Sequence, residues 1–382
     1  MSKRLLLINS VCGIGSTGRI CADIAKQYEQ DGYEVKIAYG RSDEIGKGSE
    51  KYAVRIGSKA DVYVHVVYTR LFDKHGLASK RATKNFLKWA DEYNPDILWL
   101  HNIHGYYINY EMLFEWIKRH QKEQAESGKS VMEVKWTLHD CWAFTGHCSH
   151  FTFVGCEKWK TGCSNCPQKK EYPASVFVDG SKCNYQRKKQ AFMGLKNLEI
   201  YVPSQWLKAR VDDSFLNQYS VIVQHNSINH SVFKPVESDF RNRKGLKDKK
   251  IVLGVASVWN TRKGLDDLKR LSGLLDENYK LIIVGLTEKQ IRELPKNILG
   301  LPRTHSPEKL AEIYSAADIF VNPSVEETFG MTTMEAQACG TYTIVYKGTA
   351  CEEISVGDKG CSVYPGAENL KEAIDNLFQY AQ

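Results

Sequence analysis

Short apolar runs recur along this chain, separated by longer stretches whose apolar positions return every third or fourth residue. Arg4-Leu5-Leu6-Leu7-Ile8-Asn9 has the unbroken apolar character of a strand buried on both faces of a parallel sheet. Gly13, Gly15 and Gly18 follow, and then a helical repeat runs through Ile20, Ile24 and Tyr28 to a stop at Asp31-Gly32. Glu34–Ala38 resumes a strand, which completes one β-α-β unit. Further strands are predicted at Asp96–Leu100, Val134–Leu138, Leu198–Val202 and Val221–Val223. A helix carries Met112, Leu113, Trp116 and Ile117 on one face, and the polar Gln121–Ser130 stretch reads as an exposed loop.

Phe233-Lys234-Pro235 reads as a linker and Asp239–Lys250 as a solvated charge run, after which the pattern restarts. Strands at Ile251–Ala256, Tyr279–Val284, Asp318–Val321 and Thr341–Val345 alternate with helices at Gly264–Leu275, Pro307–Ala316 and Met331–Ala338. An amphipathic helix, Glu368–Tyr380, ends the chain. Alternation of this kind implies an α/β protein with two Rossmann-like doubly wound domains facing a cleft. The expected division is 1–230 and 231–382, with a Cys-rich insert at 141–173 and a terminal helix that is a candidate to pack back on the N-terminal domain.

Composition narrows the class. The 382 residues exceed what one core usually serves, and 42% hydrophobic with 25% charged residues is ordinary for a globular protein. A net charge of +7 favours anionic partners without choosing among them. The opening apolar run is too short for a signal peptide, and nothing approaches a membrane span, so a cytoplasmic protein is expected. No basic-aromatic stripe or recognition helix suggests nucleic acid. Lys182–Lys189, Phe72, Tyr106 and Tyr107 are candidates for peripheral contact with the inner face of the cell membrane, beside the plainer reading of surface or core.

Ligands of open parallel sheets bind at the carboxyl ends of the strands. The turn Gly13–Arg19 fits a loose glycine pattern for phosphate at a helix N-terminus, and equally a plain β-α turn. Tyr39-Gly40-Arg41 supplies no acidic residue at the end of the next strand, which counts against NAD. His101, Asn102, His104 and Tyr106 follow one predicted strand, and His139, Asp140 and Trp142 the next. Such side chains suit sugar hydroxyls and proton transfer, although a histidine can also simply cap a strand. In the second half, Asn322–Gly330 leaves a strand and enters a helix at Met331, with Glu327 in the loop and Glu335 in the helix. Carboxylates there can accept from sugar hydroxyls, while the N–H groups of Phe329, Gly330 and Met331 can receive phosphate. That combination suits a nucleotide sugar.

Pro323–Gly340 resembles the glutamate signature of retaining group 1 (family 4) glycosyltransferases, whose fold is of the GT-B type. Supporting matches are the glycine turn, His139 after Thr137-Leu138, Val202-Pro203-Ser204, Asn226–Pro235 and Lys263-Gly264. His101–Tyr107 and Thr145–Cys148 resemble a bacterial subgroup assigned to colanic acid, capsule or O-antigen assembly. The resemblance implies that Glu327 bonds the donor sugar and Glu335 the ribose. It implies that Lys263, with Arg262, neutralises the departing diphosphate, that His139 lies beside the transferred sugar, and that Gly15 and Gly18 admit donor phosphates or acceptor. It also implies a UDP- or GDP-sugar donor, a lipid-linked or oligosaccharide acceptor, retention of configuration and no catalytic metal. One departure stands out: Ala256–Asn260 lacks the arginine usual before the lysine. The alternative is a non-catalytic nucleotide-sugar or zinc-scaffold protein on the same fold.

Cys148, Cys156, Cys163 and Cys166 fall in an aromatic, polar loop. Four thiols there suit a structural zinc that staples a loop lacking a core, with an iron–sulfur cluster or free thiols as alternatives.

Overall fold

The computed structural model of the chain describes residues 2–304 and 306–379. The chain divides into two compact units, 1–224 and 225–382.

The first unit runs β1 (Arg4–Ile8), α1 (Gly15–Gln30), β2 (Glu34–Tyr39), β3 (Ala53–Arg55), α2 (Lys59–Phe72), α3 (Lys80–Tyr93), β4 (Ile97–Leu100), α4 (Tyr110–Glu126), β5 (Glu133–Thr137), α5 (Ser181–Phe192), β6 (Leu198–Val202), α6 (Gln205–Asp212) and β7 (Ser220–Val223). Its seven strands are all parallel, in the order β3-β2-β1-β4-β5-β6-β7. Leu5, Leu6, Leu7 and Ile8 are fully buried, so β1 is covered on both faces. Each such side chain contributes about 1.5–3 kcal/mol of burial.

The second unit runs α7 (Phe240–Lys244), β8 (Lys250–Val255), α8 (Leu265–Leu274), β9 (Tyr279–Leu286), α9 (Glu288–Arg292), β10 (Ile298–Pro302), α10 (Pro307–Ala316), β11 (Ile319–Asn322), α11 (Met331–Ala338), β12 (Tyr342–Tyr346), β13 (Gly360–Val363) and α12 (Ala367–Gln379). Its six strands are parallel in the order β10-β9-β8-β11-β12-β13. Apolar clusters cover both faces of this sheet. In each sheet the order reverses beside the unit's first strand, between β1 and β4 and between β8 and β11. Crevices form at such switch points.

Several expectations change. The division falls before 230, because Ile228 and Phe233, read as a linker, are buried in the core of the second unit. Gln121–Glu126 is helical rather than loop. Gln121 donates to the Met132 and Lys196 carbonyls at 3.0 and 2.8 Å, and Gln124 accepts from Met132 N–H at 2.8 Å. These polar side chains are therefore buried and satisfied. The buried face of α12 (Ala367, Leu370, Ile374) lies in the core of the second unit, where the helix packs on α8. Tyr380 lies outside the described residues.

The geometry of the Cys-rich insert does not support the expected zinc. Among the described residues no three His, Cys, Asp or Glu side chains are grouped to hold a metal. Cys148, Cys156, Cys163 and Cys166 line one small pocket. Cys163 Sγ accepts from Gly146 N–H at 3.1 Å, and Cys148 and Cys166 are hydrogen-bonded to each other. The insert has a core of its own, in which Phe151 lies 4.9 Å and Phe144 5.4 Å from the Trp159 ring. Lys188, expected at the surface, is buried over the Trp142 ring at 3.5 Å and donates to the Trp142 and Thr145 carbonyls. Burial pulls its ammonium down to about 7.

A second buried clamp joins α2 to the insert. His147 Nδ1 and Asp73 Oδ1 are 2.6 Å apart, and Asp73 Oδ2 accepts from Gly180 N–H at 2.7 Å. Removing the carboxylate leaves both donors in a dry site. Asp73→Ala is therefore expected to cost about 3–5 kcal/mol, read as a lower urea midpoint at unchanged slope.

Candidate active site

In the second unit the loops after β8 and β11 lie side by side at the switch point. Asn260 caps the turn Thr261–Lys263, its side chain accepting from Lys263 N–H at 3.1 Å. Arg262 ties the two loops. Its carbonyl accepts from Val325 N–H at 3.0 Å, and its Nη1 donates to the Glu326 carbonyl at 2.9 Å. Gly264 sits at φ +74°, and a Cβ there would overlap the Pro323 carbonyl. The loops can approach this closely only with glycine at that place.

This approach brings Lys263 Nζ into direct contact with Glu327 Oε1, both side chains being mostly buried. Asn322 braces the second loop: its Oδ1 accepts from Ser324 Oγ at 2.6 Å, and its Nδ2 donates to Thr333 Oγ1 at 3.1 Å. Gly330 and Met331 stand at the N-terminus of α11, where peptide N–H groups lack intrahelical acceptors. Phe329 is buried, 5.7 Å from the His225 ring. Glu335, on the next turn, accepts from Tyr314 OH at 3.2 Å. Burial, then Glu335, holds that phenol well above its ordinary range, so it remains a donor. Arg262 is thus a strap between loops, and Lys263 is the cation aimed at a carboxylate.

In the first unit the residues after β4 and β5 converge. His101 Nδ1 and His139 Nε2 are 3.0 Å apart, with the rings stacked at 5.3 Å. His104 Nε2 lies 3.1 Å from Asp140 Oδ2, and its Nδ1 lies 3.1 Å from Tyr172 OH. An ionised carboxylate only accepts, so His104 carries its proton on Nε2 and, when neutral, accepts from Tyr172. Burial works against the Asp140 charge, but His104 and Trp142 N–H outweigh it and hold the carboxyl below the usual range. Trp142 is buried above Lys188, and Asn102 N–H donates to Asn9 Oδ1 at 3.3 Å.

Tyr106, at φ +70°, turns its ring onto His75 at 4.5 Å. Arg41 lies over the Tyr106 and Tyr172 rings at 6.0 and 5.9 Å. Gly15 opens α1 with free space where a Cβ would stand, whereas a Cβ on Gly18 would lie 3.0 Å from Val11. Gly18 therefore serves helix packing.

Sequence reasoning missed Arg41, His75, Tyr172 and Lys188 as members of this group. They come from four separate segments with no mutual spacing to read. The best available signal was Arg41 at the end of β2.

Burial lowers the His139 imidazole to about 4 and, with His139 beside it, pushes His101 well below its ordinary range. Between about pH 6.5 and the lower folded values, the unfolded chain binds protons that the folded chain refuses, so stability falls as pH falls. The chain should therefore melt earlier at pH 5 than at pH 7. His139→Asn should reduce that loss by about 1–3 kcal/mol, read from melting curves at the two pH values.

Residues 236–380 match the family model described as glycosyl transferases group 1. The chain is 27% identical over 230 residues to the putative colanic acid biosynthesis glycosyl transferase WcaC of Escherichia coli K12. That stretch covers 56% of this chain and 51% of the relative, so the chain spans about half the length of the curated relative it matches. Among solved structures, sucrose-phosphate synthase of Thermosynechococcus elongatus superposes with a TM-score of 0.67 at 16% identity, covering 99% of this chain and 90% of that one. HepE of Anabaena, in complex with UDP-glucose, superposes with a TM-score of 0.60 at 15% identity, covering 99% and 90%. At these identities the likeness to solved structures speaks to the fold. Residues 236–380, nearly the whole of the second unit, thus match a group 1 glycosyltransferase domain, and the chain has the two-domain GT-B fold.

Proposed function

We propose that this chain transfers a sugar, with retention of configuration, from a UDP- or GDP-sugar to a lipid-linked or oligosaccharide acceptor in surface polysaccharide assembly. The observation that carries the reading is the contact of Lys263 with Glu327 at the switch point of the second sheet, one loop away from Glu335. HepE, of the same fold, binds UDP-glucose, and WcaC is named for colanic acid synthesis.

Breaking the bond between sugar and diphosphate builds negative charge on the leaving nucleotide. Lys263 is held on a capped turn, and the N-terminus of α11 is fixed by its loop, so both can meet that charge without rearranging. Lys263 leaves its Glu327 partner when a diphosphate takes its place, which frees the carboxylate to accept from hydroxyls of the donor sugar. Glu335 accepts from the ribose in the same way. On the first unit, His139 and the His104–Asp140 pair supply neutral and charged acceptors for sugar hydroxyls. The proposed place of work is the cytoplasmic face of the membrane.

Thermal-shift measurements against UDP-, GDP-, ADP- and CMP-sugars test the donor site, since a ligand of the folded state raises the melting temperature. One nucleotide class should raise it, and Glu335→Ala should abolish the rise. No shift with any of them, in folded protein, would favour a scaffold without catalysis. Once an acceptor is in hand, Lys263→Ala should lower kcat by about 10²–10³ and, by leaving the mostly buried Glu327 carboxylate without its cation, should also lower the melting temperature of the free protein.

A further inference from the structure

Of the thirteen large apolar side chains exposed among the described residues, eight lie on α2 and on the loop 176–178. This concentration separates them from the scattered apolar positions of any protein surface. Tyr63, Val64, Val67, Leu71 and Phe72 form the outer face of α2, and Phe177, 72% exposed, crowns the loop. The loop is fastened to the helix and to itself. Val176 N–H donates to the Arg70 carbonyl at 2.8 Å, Lys169 Nζ to the Phe177 carbonyl at 3.3 Å, and Ser175 Oγ to the Val178 carbonyl at 2.6 Å. The patch is therefore built into the fold.

Its charged surroundings are mainly basic. Lys59, Arg70, Lys74, Lys169 and Lys170 stand on the two segments or beside them. Of the carboxylates nearby, Asp73 is buried, Asp61 is engaged by the Ser58 cap and Asp179 accepts from the Cys166 and Ser181 N–H groups, which leaves Glu171. We infer that this face docks on an anionic lipid bilayer. An apolar stripe with a basic margin lies in the interface plane, with its side chains among the acyl chains and its cations at the headgroups. At 14 residues, α2 is too short to cross. A two-fold contact with a second copy would set these basic margins against each other, and so fits the face less well.

The inner face of the same helix reaches the acceptor-side group of the first unit. His65 is fully buried, and its ring lies 5.9 Å from Tyr106 and 6.0 Å from His75. One helix thus borders that group on one side and carries the docking face on the other. The inference deepens the reading of a lipid-linked acceptor and rests on it for its purpose, because such a substrate stays in the bilayer while its sugar is extended.

Co-sedimentation of the full chain with vesicles tests it. Vesicles containing phosphatidylglycerol should bring the protein down, phosphatidylcholine vesicles much less, and added salt should weaken the binding. The double substitution Val67→Ser with Phe177→Ser, at exposed positions, should lower the partition coefficient by about tenfold or more without moving the melting temperature. Equal sedimentation of the variant, no binding to anionic vesicles, or a dimer that the substitutions dissolve would each overturn the inference. The sugar-nucleotide thermal shift, run on the same protein, keeps the two readings apart. A donor shift without vesicle binding sinks the docking face alone, and vesicle binding without any donor shift sinks the transferase reading alone.

Discussion

The two loops at the switch point of the second sheet lie closer than side chains on both would allow. Gly264 removes the Cβ that would meet Pro323, and Arg262 then ties the loops through its own carbonyl and its guanidinium. Only with that approach does Lys263 reach Glu327. An ammonium and a carboxylate, both mostly buried, are costly to hold apart and modestly favourable together. Their contact therefore keeps two charges in place until a ligand with its own anion and hydroxyls can separate them. The bracing of Asn322 on Thr333 fixes the entry to α11 relative to this pair, so the cation, the carboxylate and the helix N-terminus form one rigid arrangement.

The first unit solves a different problem at its own switch point. His101 and His139 are brought together by β4 and β5, and burial keeps them uncharged near neutral pH. Beside them, Asp140 stays charged because His104 and a backbone N–H compensate for its burial. His101 and His104, which follow the same strand, thus acquire different partners: one stacks on the His139 imidazole, the other faces a carboxylate. The insert holds this arrangement from behind through Lys188 under Trp142 and the Asp73–His147 pair.

Legibility in the sequence followed the locality of the signal. The helices Pro307–Ala316 and Met331–Ala338 were readable to the residue, because caps and periodicity lie within one segment. The placement of Glu327 in the loop and Glu335 in the helix was readable because that motif is short and local. By contrast, α2 was not read at all. It begins with a Ser58–Asp61 capping box, but its buried positions are the polar His65 and Thr69 while apolar side chains stand outside, so the usual apolar-inside pattern is inverted. The helical Gln121–Glu126 segment was misread for the opposite reason, since its glutamines look solvated and are in fact bonded to loop backbone. The aromatic packing within the insert was invisible until the chain was folded.

These failures and the active-site chemistry have a common physical basis. A polar or charged group inside a protein is tolerated where its partners are complete, and the partners here arrive from distant segments: Asp73 from α2, Lys188 from α5, Arg41 from β2 and Tyr172 from the insert. Under the transfer proposed above, the two units divide the labour by charge. The second unit keeps a full positive charge beside a carboxylate, which suits a departing diphosphate whose charge grows during reaction. The first keeps neutral imidazoles, which can accept from a hydroxyl without first losing a proton of their own. A leaving group that gains charge and an acceptor hydroxyl that must give up a proton place opposite demands on their surroundings, and each sheet meets one of them.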